Sequence, residues 1–184
     1  MAIEKKNELR SRIRRKRRNL PEDYIESASE AVNSSFLAIC GNHSNFLFYY
    51  SFDNEIKTQK LIADFYKKGK KIYLPKITDG NIELGIFQGE ENMQKGAFGI
   101  MEPVLTAENI TTVDVVVVPG LVFDMNCNRI GFGKGFYDKI LAGITCKQKV
   151  GFAYDFQVME YIETEEHDIP LDIIITEKKI YRRK

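Results

Sequence analysis

Gly131-Phe132-Gly133-Lys134-Gly135 joins a backbone without side chains at every second position to one full positive charge. Glycines so spaced let backbone N–H groups converge on a ligand without Cβ obstruction. The helix-like stretch FYDKIL that follows adds the positive end of a dipole. An anion, phosphate above all, is what such a cradle holds. Upstream stand the β-branched run Val115 to Val118, Pro119-Gly120, and a short apolar run ending at Asp124. The spacing is neither Gly-x-x-x-x-Gly-Lys-Ser/Thr nor Gly-x-Gly-x-x-Gly. A tight strand-to-helix connection is therefore the competing reading, and Lys134 with Tyr137-Asp138 weighs for a site.

A second concentration of charge lies at the N-terminus. Residues 1–18 hold nine Lys/Arg against two Glu, a local +7, so the other 166 residues carry −6 (1 minus 7) of the total +1. A basic arm on a mildly acidic body points to an anionic partner at one place. Lys6, Arg10, Arg14 and Arg18 recur every fourth residue, as do Leu9 and Ile13, so one helical face packs while a stripe of cations projects from the other. Arg12, Arg15, Lys16, Arg17 and Arg18 are read as solvated surface, with Arg14 left open between surface and site.

The elements that must position these residues alternate. Helical patterns cover residues 4–18, 21–40 and 55–68, the last preceded by a turn and helix cap at Ser51-Phe52-Asp53-Asn54. Strand patterns cover 46–50, 71–75, 82–87, 113–118, 148–152 and 171–176, with an edge at 178–181. Residues 88–112 read as an irregular loop bordering a site. Together these predict an α/β fold: a single domain over 1–184, a three-layer sandwich with a mainly parallel central sheet flanked by helices. Ligands gather at the carboxyl ends of strands in such sheets. No long apolar run is present, the N-terminus is charged where a signal peptide is apolar, and three cysteines and two histidines show no metal spacing. A cytoplasmic monomer without disulfides is expected, with no membrane and no nucleic acid among its partners.

The ordered blocks NEIKT, YLPKI, GIMEP, VVVVPGLVFDMNCNRIGFGKGFYD, GFAYDFQ and HDIPLDIIIT resemble the 5-formyltetrahydrofolate cyclo-ligase family, the methenyltetrahydrofolate synthetases, over nearly the whole chain. The resemblance implies ATP- and Mg²⁺-dependent closure of 5-formyltetrahydrofolate to 5,10-methenyltetrahydrofolate with release of ADP and phosphate. A formamide oxygen is a poor leaving group, and phosphorylating it produces an imidate phosphate that the second folate nitrogen attacks. Phosphoryl transfer demands positioning and charge neutralisation more than a nucleophile.

The same resemblance assigns roles to individual residues. Lys6 and Arg10 match an ATP-contacting pair; Arg129, Gly131, Gly133, Lys134 and Gly135 form the phosphate loop, with Lys134 the catalytic cation. Arg129 has an equal competing reading as a salt bridge to Asp124. Tyr137 lines the nucleotide or folate pocket, and Phe132 and Phe136 stand at substrate-facing positions where the family has a varied residue and usually tyrosine. Asp138 and Asp168 match Mg²⁺ ligands. Glu55 matches the glutamate that meets the pterin, although by position alone it reads as a helix N-terminal acid, and Tyr50 is a substrate contact. Glu102 and Gln157 carry no role, and His167 is read as structural. The rival reading, a nucleic-acid-binding protein led by the basic helix, accounts for RSRIRRKRR but not for the glycine loop.

Overall fold

The computed structural model describes residues 2–78, 80–96, 99–165 and 168–184; His167 lies outside them. Two helices open the chain, α1 (Ala2–Arg18) and α2 (Glu22–Cys40). They are followed by β1 (Asn45–Leu47), α3 (Gln59–Lys67), β2 (Lys71–Thr78) and β3 (Asn81–Ile86). Residues 88–112 are not wholly irregular, because β4 (Met93–Lys95) and β5 (Met101–Pro103) pair as an antiparallel hairpin. Then come β6 (Thr112–Val118), β7 (Val122–Asp124), β8 (Arg129–Ile130), α4 (Phe136–Gly143), β9 (Thr145–Phe152), β10 (Val158–Met159), β11 (Ile173–Ile175) and β12 (Ile180–Arg182).

Seven strands form the main sheet in the order β12-β11-β9-β6-β1-β2-β3. The five inner strands run parallel, and β3 and β12 close the edges antiparallel. Both faces are buried, as the continuous β-branched run of β6 requires. Val115, Val117, Phe46 and Phe48 pack under α2 and α3 with Val32, Phe36, Ile62 and Phe65. Val116, Val118 and Leu47 face the other way, toward Ile140 and Leu141 of α4. This is the expected α/β architecture with a mainly parallel sheet between helices. Among the described residues, no helix is long and apolar enough to cross a membrane.

The order of strands decides where a ligand sits. From β1 the chain moves outward to β2 on one side, and β6, β9 and β11 follow on the other. The reversal falls between β1 and β6, and a crevice opens beyond the carboxyl ends of strands at such a point. Leaving β1 are Tyr49 to Glu55; leaving β6 is the stretch from Pro119 to the glycine loop.

That second stretch is rigid because of Asp124, which is fully buried. Its Oδ1 accepts from the N–H groups of Asn126 and Asn128, both at 2.9 Å, and its Oδ2 from Asn128 Nδ2 at 3.0 Å and Ile162 N at 3.2 Å. Gln157 braces the same stretch, donating to the carbonyls of Gly120 and Leu121 at 3.1 and 2.9 Å. Asp124→Ala leaves four donors unpaired, three of them partly buried and that of Ile162 buried, and is expected to cost about 3 kcal/mol of folding stability. Urea unfolding of the two proteins measures it, and a loss under about 0.5 kcal/mol, the range of ordinary surface substitutions, would show the turn is held by other means.

Candidate active site

A cavity of about 550 Å³ occupies the crevice between the β1 and β6 ends. Its wall includes all fourteen residues singled out in sequence: Lys6, Arg10, Tyr50, Glu55, Arg129, Gly131, Phe132, Gly133, Lys134, Gly135, Phe136, Tyr137, Asp138 and Asp168. The α1 and glycine-loop side is charged. Across from it Pro75, Ile77 and Ile82 of the β2–β3 hairpin and Met101 of β5 supply an apolar wall. Ile77, Ile82 and Met101 were not anticipated, since nothing in their types distinguishes them from core residues. Met101 lies in the 88–112 segment, which was nonetheless recognisable as the border of a site.

On the charged side, α1 is anchored by Leu9 and Ile13 against Leu121, Val122, Ile130 and Ile162. Arg10 donates from Nε to the Gly131 carbonyl at 3.0 Å and from Nη1 to Asn7 Oδ1 at 2.7 Å. Lys6 Nζ lies 2.7 Å from Glu165 Oε1 and 3.4 Å from Asp168 Oδ2. Burial pulls the Lys6 ammonium down, but those two carboxylates outweigh it and leave the group above its ordinary value. Gly133 and Gly135 have φ of 98° and 65°, values that side chains other than glycine adopt only with strain. Gly135 precedes α4 with no side-chain hydrogen bond capping the helix, which leaves the first N–H groups of α4 without a side-chain cap. Lys134 is exposed, its Nζ 5.8 Å from the centre of the Phe136 ring.

Of its two readings, Arg129 departs from the salt bridge to Asp124. It does not reach for Asp124, whose oxygens are taken by three backbone N–H groups and Asn128 Nδ2; its Nη2 pairs with Asp138 Oδ1 at 2.6 Å, and it lines the cavity. Desolvation lowers its pKa, and the charges of Asp138, Tyr137 and Asp168 oppose that.

Glu55 also departs from expectation. Helix α3 begins only at Gln59, because Asp53 and Asn54 take positive φ (48° and 56°) and turn the chain sharply. Glu55 is therefore not a helix N-terminal acid. It is 5% exposed, accepts from Phe52 N at 3.1 Å, and keeps Oε1 without a hydrogen-bond partner. Burial, only partly offset by Arg17 and the Phe52 N–H, pushes its pKa up to about 7. The Tyr137 hydroxyl is likewise buried and unpartnered. Unsatisfied polar atoms of this kind, gathered on one cavity wall, mark where a polar ligand would bind. Glu102, buried on the apolar wall, accepts from Ile77 N at 3.2 Å.

The basic helix needs one correction. Arg17, read as surface, is 1% exposed, drawn inward by the acids of the Asp53–Glu55 turn. Arg14 lines the cavity, its guanidinium 5.7 Å from the Phe132 ring centre. Four of the nine N-terminal cations, Lys6, Arg10, Arg14 and Arg17, thus face the cavity or the interior.

Compared with known proteins, residues 2–177 match the model of the 5-formyltetrahydrofolate cyclo-ligase family. The chain belongs to that family. It is similar to the Haemophilus influenzae 5-formyltetrahydrofolate cyclo-ligase, 33% identical over 186 residues that cover 95% of this chain and 100% of the relative. Its fold resembles the NMR structure of Aquifex aeolicus 5,10-methenyltetrahydrofolate synthetase, with a TM-score of 0.86, 36% identity, and coverage of 96% of this chain and 92% of the other. The Mycoplasma pneumoniae 5,10-methenyltetrahydrofolate synthetase is also similar, at a TM-score of 0.73 and 25% identity over 94% and 98% of the two chains. Membership in this cyclo-ligase family makes the chain an enzyme of the ligase class. The basic N-terminal helix is accordingly part of a cyclo-ligase cavity wall, which removes the reason for a nucleic-acid reading.

Mg²⁺, implied by the cyclo-ligase family, can be tested against the donor set. Asp138 and Asp168 are hard oxygen donors on the cavity wall, and both act electrostatically on the one guanidinium of Arg129. No cluster of three or more His, Cys, Asp or Glu suited to a metal occurs among the described residues. Mg²⁺ keeps most of its water and uses one or two carboxylates with substrate phosphates, so a pair of aspartates fits it.

Proposed function

We propose that this cyclo-ligase family member closes 5-formyltetrahydrofolate to 5,10-methenyltetrahydrofolate while converting ATP to ADP and phosphate. The observation that carries the reading is the shared cavity: a cationic, glycine-lined phosphate cradle and the buried, unsaturated carboxylate of Glu55 open onto the same space.

In this reading the triphosphate lies against Lys6, Arg10 and the Gly131–Gly135 loop, with its negative charge opposite Lys134, Arg129 and the N-terminus of α4. Glu55 accepts from the paired N–H donors of the pterin, Tyr50, Phe132 and Phe136 bound the substrate, and Tyr137 stands between the two subsites. The formyl oxygen attacks the γ-phosphorus and ADP leaves, giving an imidate phosphate. The neighbouring folate nitrogen attacks the formyl carbon and loses its proton, and the C–O bond to phosphate breaks. Cations fixed before the reaction stabilise the charge moving between phosphates without reorganising. Asp138 and Asp168 would hold Mg²⁺, which when bound neutralises polyphosphate charge.

Ultraviolet absorbance at the methenyl product's band tests the reaction. A rise that requires 5-formyltetrahydrofolate, ATP and Mg²⁺ together supports it, and no rise from folded protein overturns it. Asp138→Asn is expected to raise the Mg²⁺ concentration for half-maximal rate by about tenfold or more, on the scale of losing a metal-site partner. An unchanged Mg²⁺ titration would exclude Asp138 as a ligand.

A further inference from the structure

Arg17 is buried behind the cavity wall and forms no part of its surface. Its guanidinium meets two carboxylates of one turn, with Nη2 3.5 Å from Asp53 Oδ2 and Nη1 3.7 Å from Glu55 Oε1. The Phe132 ring centre lies 5.6 Å from its guanidinium carbon, and Asn54 Nδ2 donates to its backbone carbonyl at 3.2 Å. One side chain on α1 thus touches both the turn after β1 and the glycine loop.

The ion pair with Glu55 is longer than a hydrogen bond. Glu55 Oε1 keeps no hydrogen-bond partner, and neither do Arg17 Nε and Nη2. The guanidinium therefore attracts the carboxylate without occupying its lone pairs. Breaking a buried pair by removing one member leaves an uncompensated charge, which a protein tolerates poorly. Glu55 depends on a counter-charge supplied by a residue outside the cavity lining.

We propose that Arg17 is a positioning residue for folate recognition, holding the Glu55 carboxylate in the cavity wall through an ion pair made by a residue outside that wall. The inference rests on the folate-and-ATP reading of the site. It gives α1 two duties: Lys6 and Arg10 meet the nucleotide, and Arg17 sets the group that meets the folate. The groups facing Glu55 are Arg17 from α1, Asp53 from its own turn, Tyr49 after β1, Tyr137 on α4 and Tyr154 after β9. Of these Arg17 favours the carboxylate and Asp53 disfavours it, so loss of Arg17 moves the titration of Glu55 upward.

Steady-state kinetics of the full chain test the idea. Arg17→Met retains the aliphatic stem; it is expected to raise KM for 5-formyltetrahydrofolate about tenfold, the lower end for removing a supporting partner. KM for ATP should stay within about twofold, the limit for independent sites. The acid limb of kcat/KM for folate moves to higher pH, and Arg17→Lys restores most of the folate affinity. With Glu55→Gln already present, Arg17→Met adds no more than about twofold to the folate KM. An unchanged folate KM and pH limb, equal rises for both substrates, or full additivity with Glu55→Gln would overturn the proposal. If Arg17→Met does not fold, Arg17→Gln, which removes the charge but keeps a polar end, decides: a wild-type folate KM and pH limb overturn it, and a rise in the folate KM with the acid limb moved to higher pH supports it. Failure of the wild-type protein to turn over 5-formyltetrahydrofolate overturns the functional reading, and this inference with it.

Discussion

Lys134→Ala is expected to lower kcat for methenyltetrahydrofolate formation by about a thousandfold or more, the scale for removing a cation from a transferring phosphoryl group. The loop explains why the loss should appear in rate and not in folding. Lys134 is exposed between Gly133 and Gly135, whose positive φ values are set by the backbone, and its Nζ lies 5.8 Å from the centre of the Phe136 ring. Alanine at this position removes charge without opening a cavity. Single-turnover kinetics with saturating ATP separate the phosphoryl step from product release, and circular dichroism monitors the fold. Lys134→Arg keeps the charge but carries a bulkier, planar head, so partial activity is expected. Near-normal turnover by the alanine variant would remove Lys134 from the mechanism.

Glu55→Gln is expected to raise KM for 5-formyltetrahydrofolate by about 10- to 100-fold, the equivalent of one or two charged hydrogen bonds, with a much smaller change in KM for ATP. The pH dependence gives a second readout. In the free protein burial raises Glu55 to about 7 from an ordinary 4.5. A carboxylate that accepts from the pterin must be ionised, so kcat/KM for folate should climb with pH through about 7 and then level. The glutamine variant should lack that limb. Linkage gives the opposite slope for folding. Because the folded pKa lies above the unfolded one, the penalty for a charged Glu55 is absent below pH 4.5 and grows until pH passes about 7. Wild-type stability relative to Glu55→Gln should therefore fall over that window. Equal losses for both substrates, or parallel pH profiles, would displace Glu55 from the folate subsite.

Much of this was legible in the sequence, for physical reasons. The inner strands announced themselves because a parallel strand buried on both faces must be apolar throughout, as Val115 to Val118 are. Helices α1 and α2 carried a sustained 3.6-residue period. The glycine loop stood out because few structures call for glycine at alternate positions beside a lysine. What sequence left hidden was set by tertiary context. Strands β7, β8 and β10 span two or three residues each, too short to show a period. Glu55 looked like a helix N-terminal acid because the positive φ of Asp53 and Asn54 is a property of the folded turn. Arg17 was indistinguishable from its charged neighbours; only the acidic turn facing it separates a buried arginine from a solvated one. The apolar wall from Ile77, Ile82 and Met101 was equally silent, since a substrate-facing aliphatic side chain has the composition of core.

The attachment of α1 bears on the order in which this enzyme is made. Lys6 pairs with Glu165 and Asp168, 159 and 162 residues downstream, and Arg10 with Gly131, 121 downstream. During synthesis at about 5–20 residues per second, the helix waits roughly six to thirty seconds for those partners. Alone it is a poor helix, with cations repeating at i, i+4 that repel one another. It becomes ordered by docking, after the sheet that receives it exists. A chain not yet extended to Glu165 and Asp168 therefore lacks the partners that fix Lys6 in the cavity wall.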